Sequence, residues 1–296
     1  MPSDLKHRWS VGNNCLAGIT AGDWWRLLRQ QRFSIDAVYW HRAAFISAAS
    51  VLNSIFAAVE SLRYGAAIEQ VAVTYPPLFI LGHWRSGTTL LHYLLAQDTR
   101  QFCFASTFQA INPRSFLTTE AIGTRLFSGL VPARRPMDNL PQSFRTPQED
   151  ELALLLLTLR SLYLGISFPA SEEWFGRYLT FRDVPESEVR EWKSGLQWFV
   201  KKLTYRYRRT VLLKSPAHTG RIRLLLALFP NARFVHIHRH PFEVFQSVCH
   251  YFSTAPWYTY LQRQRLEGLE DRILRRYTQL YDAWFSDRDL IPEGHL

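Results

Sequence analysis

The 296-residue sequence has few cysteines and no apolar segment at its N-terminus. Cys15, Cys103 and Cys249 are too few and too scattered for a disulfide framework or a zinc site, so we expect a reducing compartment, the cytoplasm. The N-terminus lacks the apolar core of a signal peptide. Hydrophobic residues make up 47% of the chain, which excludes a disordered protein and allows one large domain or a core with an appendage.

Lysine is also scarce. Only five of the 35 Lys and Arg residues are lysines, so arginine carries most of the net charge of +10. Guanidinium groups bind phosphate and sulfate through paired hydrogen bonds, although a base-composition bias of the gene explains the arginines equally well. The sequence has no recognition-helix, zinc-finger or aromatic-basic RNA pattern, and we expect no nucleic-acid partner.

Long hydrophobic runs are absent as well. The uncharged run 43–59 is short for a membrane span and contains three serines and an asparagine. We therefore expect a packed amphipathic helix there, with membrane-surface attachment as the alternative. Its apolar face would consist of residues at helical spacing, namely Phe45, Ala49, Leu52, Phe56 and Val59.

The chain divides into a helical N-terminal region, residues 1–75, and a core, residues 76–296. Gly65 is a possible helix end, and Pro76 and Pro77 close the N-terminal region. The core opens with "LFILG", a short buried strand, and "TTLLHYLLAQ" follows as a helix. Between them the loop Gly82–Thr89, called the phosphate loop below, reads "GHWRSGTT".

The phosphate loop has the glycine spacing of a Walker loop, but Thr88 stands in the lysine position. Backbone amides at the start of the following helix bind anions without a lysine. Arg85 adds a charge, and Thr88 and Thr89 add hydroxyl groups. No hydrophobic run ending in a Walker-B aspartate follows, so the pattern predicts an anion activated without a metal. A purely structural glycine loop is the alternative.

Two further strands are predicted to lie parallel to the first. "TVLLKSP" ends at Lys214, and "NARFVHIHRHP" ends at Arg239. Ligands of open α/β sheets bind beyond the carboxyl ends of the strands, where we expect the phosphate loop, Lys214 and Arg239 to meet. Ser247, two turns into the next helix, is expected to clasp a second phosphate together with Arg239.

The middle region, 100–210, contains proline-rich basic loops and two predicted helices. In "TPQEDELALLLLTLRSLYL" we expect Thr146 to cap the first helix, with Pro147 in its first turn and Glu149 completing a capping box. Residues 186–207 form the second helix.

Three segments together resemble the sulfotransferases that use 3′-phosphoadenosine 5′-phosphosulfate (PAPS). "WRSGTT" is similar to their 5′-phosphosulfate loop and "RHPFEVFQS" to their 3′-phosphate element, while "LLKSPAHTGRI" and "PQEDE" resemble a bacterial-type subgroup. The resemblance covers roughly 76 to 252. It implies an α/β fold, a three-layer P-loop-like parallel sheet flanked by helices, here with an N-terminal helical appendage. It also implies transfer of a sulfuryl group from PAPS to a hydroxyl or amine, with no metal.

The resemblance implies roles for individual residues. Arg85 and the loop amides would hold the 5′-phosphate, and Lys214 would stabilise charge on the sulfuryl or bridging oxygen. The cofactor-binding residues would be Arg85, Ser86, Gly87, Thr88, Thr89, Arg239 and Ser247.

The acceptor needs a general base within hydrogen-bond reach. We favour the acidic trio, defined as Glu149, Asp150 and Glu151, with Glu151 and Glu149 ahead of His218; His83 is a further candidate. A capping-box role would use the Glu149 carboxylate locally, which argues against it. A carboxylate at a helix N-terminus is also a weaker base.

Two departures from the family pattern bear on the function. Leu90 stands where some relatives have a tryptophan that stacks on adenine, and such proteins continue past "IPEGHL" with a helix and a basic loop, so we expect a core short at its C-terminus. A P-loop kinase or ATPase and a catalytically inactive nucleotide-binding protein stay open as alternatives. The acceptor, whether a small molecule, a glycan or a lipid, and the oligomeric state are not encoded in any pattern we recognise.

Overall fold

A parallel β-sheet forms the centre of the structure, a computed structural model that describes residues 7, 9–11, 14–131, 133–135 and 138–296. Ile80 pairs with Lys214 and Leu81 pairs with His236, so these strand ends lie side by side at one edge, called the carboxyl edge below. The predicted parallel sheet is therefore confirmed. Within the described residues its strands are β1 (Leu78–Leu81), β2 (Phe102–Phe104), β3 (Thr210–Lys214) and β4 (Arg233–His236), in the order β2-β3-β1-β4.

Helices are distributed around this sheet along the whole chain. Apart from short 3₁₀ turns, they are α1 (Ala21–Gln30), α2 (Trp40–Glu69), α3 (Thr88–Leu95), α4 (Thr107–Ile111), α5 (Phe116–Leu126), α6 (Asp150–Thr158), α7 (Leu164–Ser167), α8 (Glu172–Gly176), α9 (Glu186–Tyr207), α10 (Ile222–Leu228), α11 (Pro241–Thr254) and α12 (Leu269–Asp287).

The two faces of the sheet are buried by different helices, because successive side chains of a strand point to opposite sides. Phe79 and Leu213 belong to the large core that includes residues of α6, α9 and α10. Ile80 and Leu212 instead pack with Ala96 and with partly buried leucines of α3. These are the three layers of the predicted α/β fold.

The N-terminal helices pack on this core. Leu16, Trp24 and Ile46 belong to the same hydrophobic cluster as Phe79. A buried ion pair also joins Glu60 of α2 to Lys202 of α9. The predicted helical appendage is thus held to the sheet domain by apolar packing and by a paired buried charge.

Helix α2 differs from its sequence prediction in length and in orientation. It continues through Gly65 to Glu69, so the predicted end was wrong. The face predicted to be packed, including Leu52, Phe56 and Val59, is instead exposed. Serine and asparagine side chains of α2 point inward, where they bond to the 14–24 segment.

The predicted start of the helix around the acidic trio was also wrong. Helix α6 begins at Asp150 with Glu149 as its N-cap, and no side chain caps it. Residues 146–148 run extended beside 105–107 instead: the Gln148 amide donates to the Ala105 carbonyl oxygen (2.9 Å), and the Thr107 amide donates to the carbonyl of Thr146 (2.9 Å). The Glu149 carboxylate is therefore not used in a capping box.

The remaining predicted elements fall close to their expected positions. Helix α9 spans the predicted residues 186–207, and α11 begins at Pro241. Strand β4 ends at His236, three residues before the predicted Arg239. Strand β2 was not predicted, because three residues are too few for a periodic pattern.

Candidate active site

The phosphate loop has the backbone that a helix N-terminal anion site requires. Gly82 has a φ of +141°, and a Cβ there would lie 2.3 Å from the Ile237 carbonyl oxygen, so only glycine fits. Gly87, with a φ of +103°, turns the chain into α3. The first amides of α3 have no carbonyl one turn earlier in the helix to bond, and they carry the positive end of its dipole.

Side chains of the loop connect it to neighbouring elements. The Arg85 guanidinium donates to the Ser247 hydroxyl (2.9 Å, from Nε) and to the Asp138 carboxylate (3.0 Å). The Ser86 hydroxyl donates to the His83 carbonyl (2.7 Å), which fixes the loop from within. Thr88 is buried at the start of α3. The loop is thus positioned by bonds to α11 and to the segment that contains Asp138.

Lys214 and Glu149 meet at the carboxyl edge. The Lys214 ammonium lies 2.5 Å from Oε1 of Glu149 and 3.4 Å from the Thr89 hydroxyl. Burial lowers the pKa of Lys214 from its ordinary value, and the neighbouring Glu149 opposes that shift. Because α6 begins only at Asp150, the Glu149 side chain can turn toward β3. A lysine from β3 therefore lies beside the loop, which has Thr88 in the lysine position of a Walker loop.

Tyr163 links Glu149 to the phosphate loop. Its hydroxyl donates to Oε2 of Glu149 and accepts a hydrogen bond from the Trp84 indole nitrogen (2.8 Å). Burial, and then the Glu149 charge, raise the pKa of Tyr163 well above its ordinary value, so the hydroxyl keeps its proton. Both carboxylate oxygens of Glu149 are thus held, one by Lys214 and one by Tyr163.

The other two acids of the trio have basic side chains of their own as partners. Asp150 lies 2.5 Å from Nε2 of His218, and Glu151 binds the Arg221 guanidinium through two contacts of 2.6 and 3.1 Å. The Ser161 hydroxyl also donates to Glu151 (2.7 Å). Three consecutive acids therefore pair with Lys214 at the end of β3, with His218 in the next 3₁₀ turn and with Arg221 just after it.

The three acids also differ in how deeply their side chains are buried. The Glu149 side chain is 15% exposed, whereas those of Asp150 and Glu151 are 1% and 0% exposed. Burial acts to raise the pKa of Asp150, but the adjacent His218 outweighs it and the pKa lies below its ordinary value. Glu149 is the member of the trio that reaches the cavity described next, while Glu151 and His218 lie behind it.

A cavity of about 260 Å³ opens beside the phosphate loop. Its polar end is formed by Arg85, Thr88, Thr89 and Glu149. Much of the remaining wall, which also contains Arg135 and Arg276, is formed by apolar side chains from five parts of the chain: Leu152, Leu162, Ile166, Val248, Phe252 and Pro256. Ligand pockets in proteins commonly combine a mostly apolar lining with a few polar groups in this way.

His83, the remaining base candidate, lies in the wall of this cavity. Its Nδ1 lies 2.8 Å from the Trp84 carbonyl oxygen and so carries the proton. Burial lowers the pKa of His83 to about 4. The ring is therefore neutral near pH 7 and a weak base.

The structure does not join Arg239 and Ser247 by a direct contact among its described residues. Arg239 lies 2.5 Å from the Glu243 carboxylate with its side chain 49% exposed, and it borders a separate surface groove. Ser247 instead accepts the hydrogen bond from Arg85. The predicted clasp on a second phosphate stays a prediction.

Sequence reasoning did not find Tyr163, Arg221 or Asp138. Arg135 lines the cavity and lies 3.5 Å from Asp138, in a loop without helical or strand periodicity. Arg221 had a usable signal: Lys214, His218 and Arg221 are four and three residues apart, the spacing of one helical face. No sequence pattern indicated Tyr163, because a loop brings its side chain to Glu149.

An anion loop, a lysine and a carboxylate at the carboxyl edge of a parallel sheet define a P-loop-like group-transfer site. The chain belongs to the sulfotransferase family: the model described as "Sulfotransferase family" matches residues 76–296. The protein is therefore a sulfotransferase, an enzyme that transfers a sulfuryl group to an acceptor. Within the described residues, no group of three or more His, Cys, Asp or Glu side chains is placed to hold a metal ion.

Two mycobacterial proteins are similar to this chain along most of its length. Proteins described as omega-hydroxy-beta-dihydromenaquinone-9 sulfotransferase Stf3, from Mycobacterium bovis and Mycobacterium tuberculosis, are each 36% identical over 274 residues, which is 93% of this chain and 70% of the relative.

Solved structures of two sulfotransferases share the fold. STF1 from Mycobacterium tuberculosis H37Rv has a TM-score of 0.64 at 16% identity, covering 94% of this chain and 78% of that one. STF9 from Mycobacterium avium has a TM-score of 0.64 at 20% identity, covering 93% and 76%. The predicted family and fold are thereby confirmed.

Proposed function

We propose that the sulfuryl donor is PAPS and that the phosphate loop holds its 5′-phosphosulfate end. The donor groups present fit a polyanion: the amides at the start of α3, the Arg85 guanidinium and the Thr88 and Thr89 hydroxyls surround one end of the cavity. The buried Lys214 ammonium adds a second cation 3.4 Å from Thr89. When bound, PAPS supplies the sulfuryl group, and 3′,5′-diphosphoadenosine is the product that remains.

We propose Glu149 as the general base. The observation that carries this assignment is the contact between Glu149 and Lys214, which places a carboxylate and an ammonium together at the cavity end of β3. Glu149 would take the acceptor proton at Oε1, while Tyr163 holds Oε2 and fixes the orientation of the carboxylate. Lys214 would stabilise negative charge that develops during transfer.

Asp150 and Glu151 have positioning roles in this scheme. Their pairs with His218 and Arg221 anchor the first turn of α6 to the segment after β3. Because Glu149 directly precedes that turn, these buried pairs set the distance between Glu149 and Lys214. We therefore assign Glu151 and His218 to support of the site rather than to proton transfer.

We propose an acceptor alcohol with a large apolar body. The cavity next to Glu149 is lined mostly by apolar side chains. The named relatives act on omega-hydroxy-beta-dihydromenaquinone-9, by their names a hydroxylated menaquinone. A hydroxylated isoprenoid or quinone would place its apolar part against Leu162, Ile166 and Phe252, with its hydroxyl group at Glu149.

We propose a cytoplasmic location for the reaction. Cys15, Cys103 and Cys249 are free thiols in the structure. Cysteines without disulfides are the usual state in a reducing compartment. Fractionation of the host cell, with the protein followed by immunoblotting, tests this location.

Calorimetric titration with 3′,5′-diphosphoadenosine tests the donor assignment. We expect micromolar binding of this product and no binding of ATP with magnesium, because the loop lacks the lysine that bridges two phosphates of ATP. Preferential binding of ATP would support a kinase or ATPase instead. Binding of the diphosphate without transfer to any acceptor would support a catalytically inactive nucleotide-binding protein.

Replacement of Arg239 by alanine tests the proposed 3′-phosphate contact. We expect 3′,5′-diphosphoadenosine to bind roughly ten- to a hundred-fold more weakly, because one charge-assisted contact is lost. Adenosine 5′-phosphate, which lacks the 3′-phosphate, should bind the variant and the unmodified protein equally. Arg233→Ala is the matched control, since Arg233 is an exposed arginine at the opposite end of the strand preceding Arg239. An unchanged affinity in Arg239→Ala would remove this residue from the site.

A further inference from the structure

The outward face of α2 carries a continuous apolar surface. Within the described residues, the stretch Ala37–Glu69 is long and apolar enough to cross a membrane. Its most apolar 18 residues have a mean hydropathy of 1.6, and only 17% of them are buried. No Asp, Glu, Lys or Arg occurs from residue 43 to residue 59, roughly 25 Å of helix. The outward apolar side chains are 44 to 90% exposed: Val51, Leu52, Ile55, Phe56, Val59 and Leu62.

The polar side chains of the same helix face the protein. The Ser47 hydroxyl accepts a hydrogen bond from the Trp24 indole (2.8 Å), and the Ser54 hydroxyl accepts one from the Ala21 amide (2.8 Å). Asn53 donates to the carbonyl oxygens of Ala17 and Ile19. A surface helix in water shows the reverse arrangement, with its apolar stripe inside. The outward face of α2 is therefore built to contact something other than water.

Buried contacts at both ends of the uncharged run 43–59 hold α2 in the fold and argue against a helix that crosses a membrane. The Arg42 guanidinium is buried and donates to the Tyr260 carbonyl (2.9 Å). Glu60 is buried and paired with Lys202. Pulling the helix out of the fold would leave these charges unpaired in an apolar environment, which is strongly unfavourable.

Exposed aromatic and basic side chains occur on α1, which packs against α2, in the turn after α1 and at the start of α2. Trp25 and Phe33 are exposed and pack edge to face (5.3 Å between ring centroids), and Trp40 is exposed at the start of α2. Exposed arginines follow on α1 and in the turn after it: Arg26, Arg29 and Arg32. Indole rings favour the level of lipid headgroups, and arginines favour anionic ones. A second copy of this basic protein would instead bring like charges together.

The inward side of α2 lies one short segment away from the cavity of the active site. The short 3₁₀ turn Cys15–Gly18 packs against α2 through the bond from Asn53 to Ala17. Cys15 of that turn also lines the cavity. One short segment thus separates the exposed helix from the apolar wall of the site.

We propose that the outward face of α2 docks on a lipid bilayer that carries anionic headgroups, with the helix parallel to the membrane plane. The bilayer covers the apolar side chains of α2, while the arginines of α1 contact the headgroups. This placement brings the cavity to the source of a lipophilic acceptor, a consequence that rests on the acceptor class proposed above. The docking itself does not depend on it.

Vesicle sedimentation tests the docking. The full chain is spun with vesicles of phosphatidylcholine and phosphatidylglycerol in equal amounts, and with vesicles of phosphatidylcholine alone. We expect the protein to sediment with the mixed vesicles, less with the neutral ones, and less as the salt concentration rises. An alkaline carbonate wash should release it, because the helix does not span the bilayer.

Two triple variants separate the helix face from general hydrophobicity. The first variant combines Leu52→Gln, Ile55→Gln and Val59→Gln. We expect its vesicle partition coefficient to be lower by about ten-fold or more, since three apolar side chains no longer enter the bilayer. The control combines Leu266→Gln, Leu274→Gln and Leu290→Gln, whose side chains are comparably exposed elsewhere on the protein. It should bind as the unmodified protein does.

Folding of each variant is checked by its thermal transition and its affinity for 3′,5′-diphosphoadenosine. If the α2 variant does not fold, a second triple variant tests the docking: Arg26→Gln, Arg29→Gln and Arg32→Gln. It should lose the preference for the mixed vesicles over the neutral ones. Equal sedimentation of all variants would overturn the proposal. A protein that forms a dimer in solution, does not bind vesicles and becomes monomeric in the α2 variant would also overturn it. Resistance of the bound protein to the carbonate wash would contradict docking parallel to the membrane. Vesicle binding needs neither donor nor acceptor. The docking can therefore be tested even if the proposed sulfuryl transfer is wrong.

Discussion

Replacing Glu149 with glutamine should lower kcat by about 10²- to 10⁴-fold, the range that general-base catalysis contributes. Glutamine keeps the size and one acceptor oxygen but cannot take the proton of the acceptor hydroxyl. The KM for the donor should change little, because the loop amides and Arg85 remain in place. The measurement is transfer of radiolabelled sulfuryl to the lipophilic alcohol that gives the highest turnover in a screen.

Two other glutamate variants separate proton transfer from structure. Glu173→Gln removes a charge at an exposed side chain and should leave kcat unchanged. Glu151→Gln should lower the melting temperature instead, because it weakens a fully buried two-contact pair with Arg221. If Glu149→Gln kept most of the kcat of the unmodified enzyme, the base would have to be sought at His83, the other titratable group in the cavity wall that we considered.

The carboxyl edge of the sheet was predictable from the sequence because short-range patterns specify it. A buried strand, a glycine loop and a helix start follow one another within 78–95, and each has a recognisable local sequence pattern. Lys214 follows three apolar residues, so its place at a strand end could be read directly. Parallel strands then bring it to the same edge as the loop.

The different partners of the three acids could not be predicted from the sequence. "PQEDE" shows three carboxylates but not which of them is exposed, and the predicted capping box pointed away from Glu149. Extended pairing of 146–148 with 105–107, a contact between distant segments, delays the helix to Asp150. That delay turns Glu149 toward Lys214. No local pattern contains this information.

The orientation of α2 was mispredicted for a related reason. Helical spacing identifies which residues share a face, but it does not say which face is inside. Burial of the apolar face was the ordinary assumption for a protein in water. Asn53 donates hydrogen bonds to residues 17 and 19, and the α2 serines accept them from residues 21 and 24, so the polar face lies inside. The exception to the usual pattern is itself the evidence for a contact surface.

Removing the Lys214 side chain should lower kcat by about 10²- to 10³-fold, the usual cost of losing one group that stabilises transition-state charge. Lys214→Ala leaves the loop amides and Arg85 intact, so 3′,5′-diphosphoadenosine should bind the variant with nearly unchanged affinity. Lys201→Ala is the control, because Lys201 lies on α9 and contacts the Glu69 carbonyl oxygen (2.8 Å), away from the carboxyl edge.

The double variant of Lys214→Ala with Glu149→Gln shows whether the pair acts as one unit. Side chains in direct contact give combined effects that differ from the product of the single effects. Lys214 and Glu149 lie 2.5 Å apart, so the double variant should be little slower than the slower single variant. A loss equal to the product of both single losses would mean that the two groups act independently. The contact would then be a resting-state ion pair, and Lys214 would serve the donor without orienting the base.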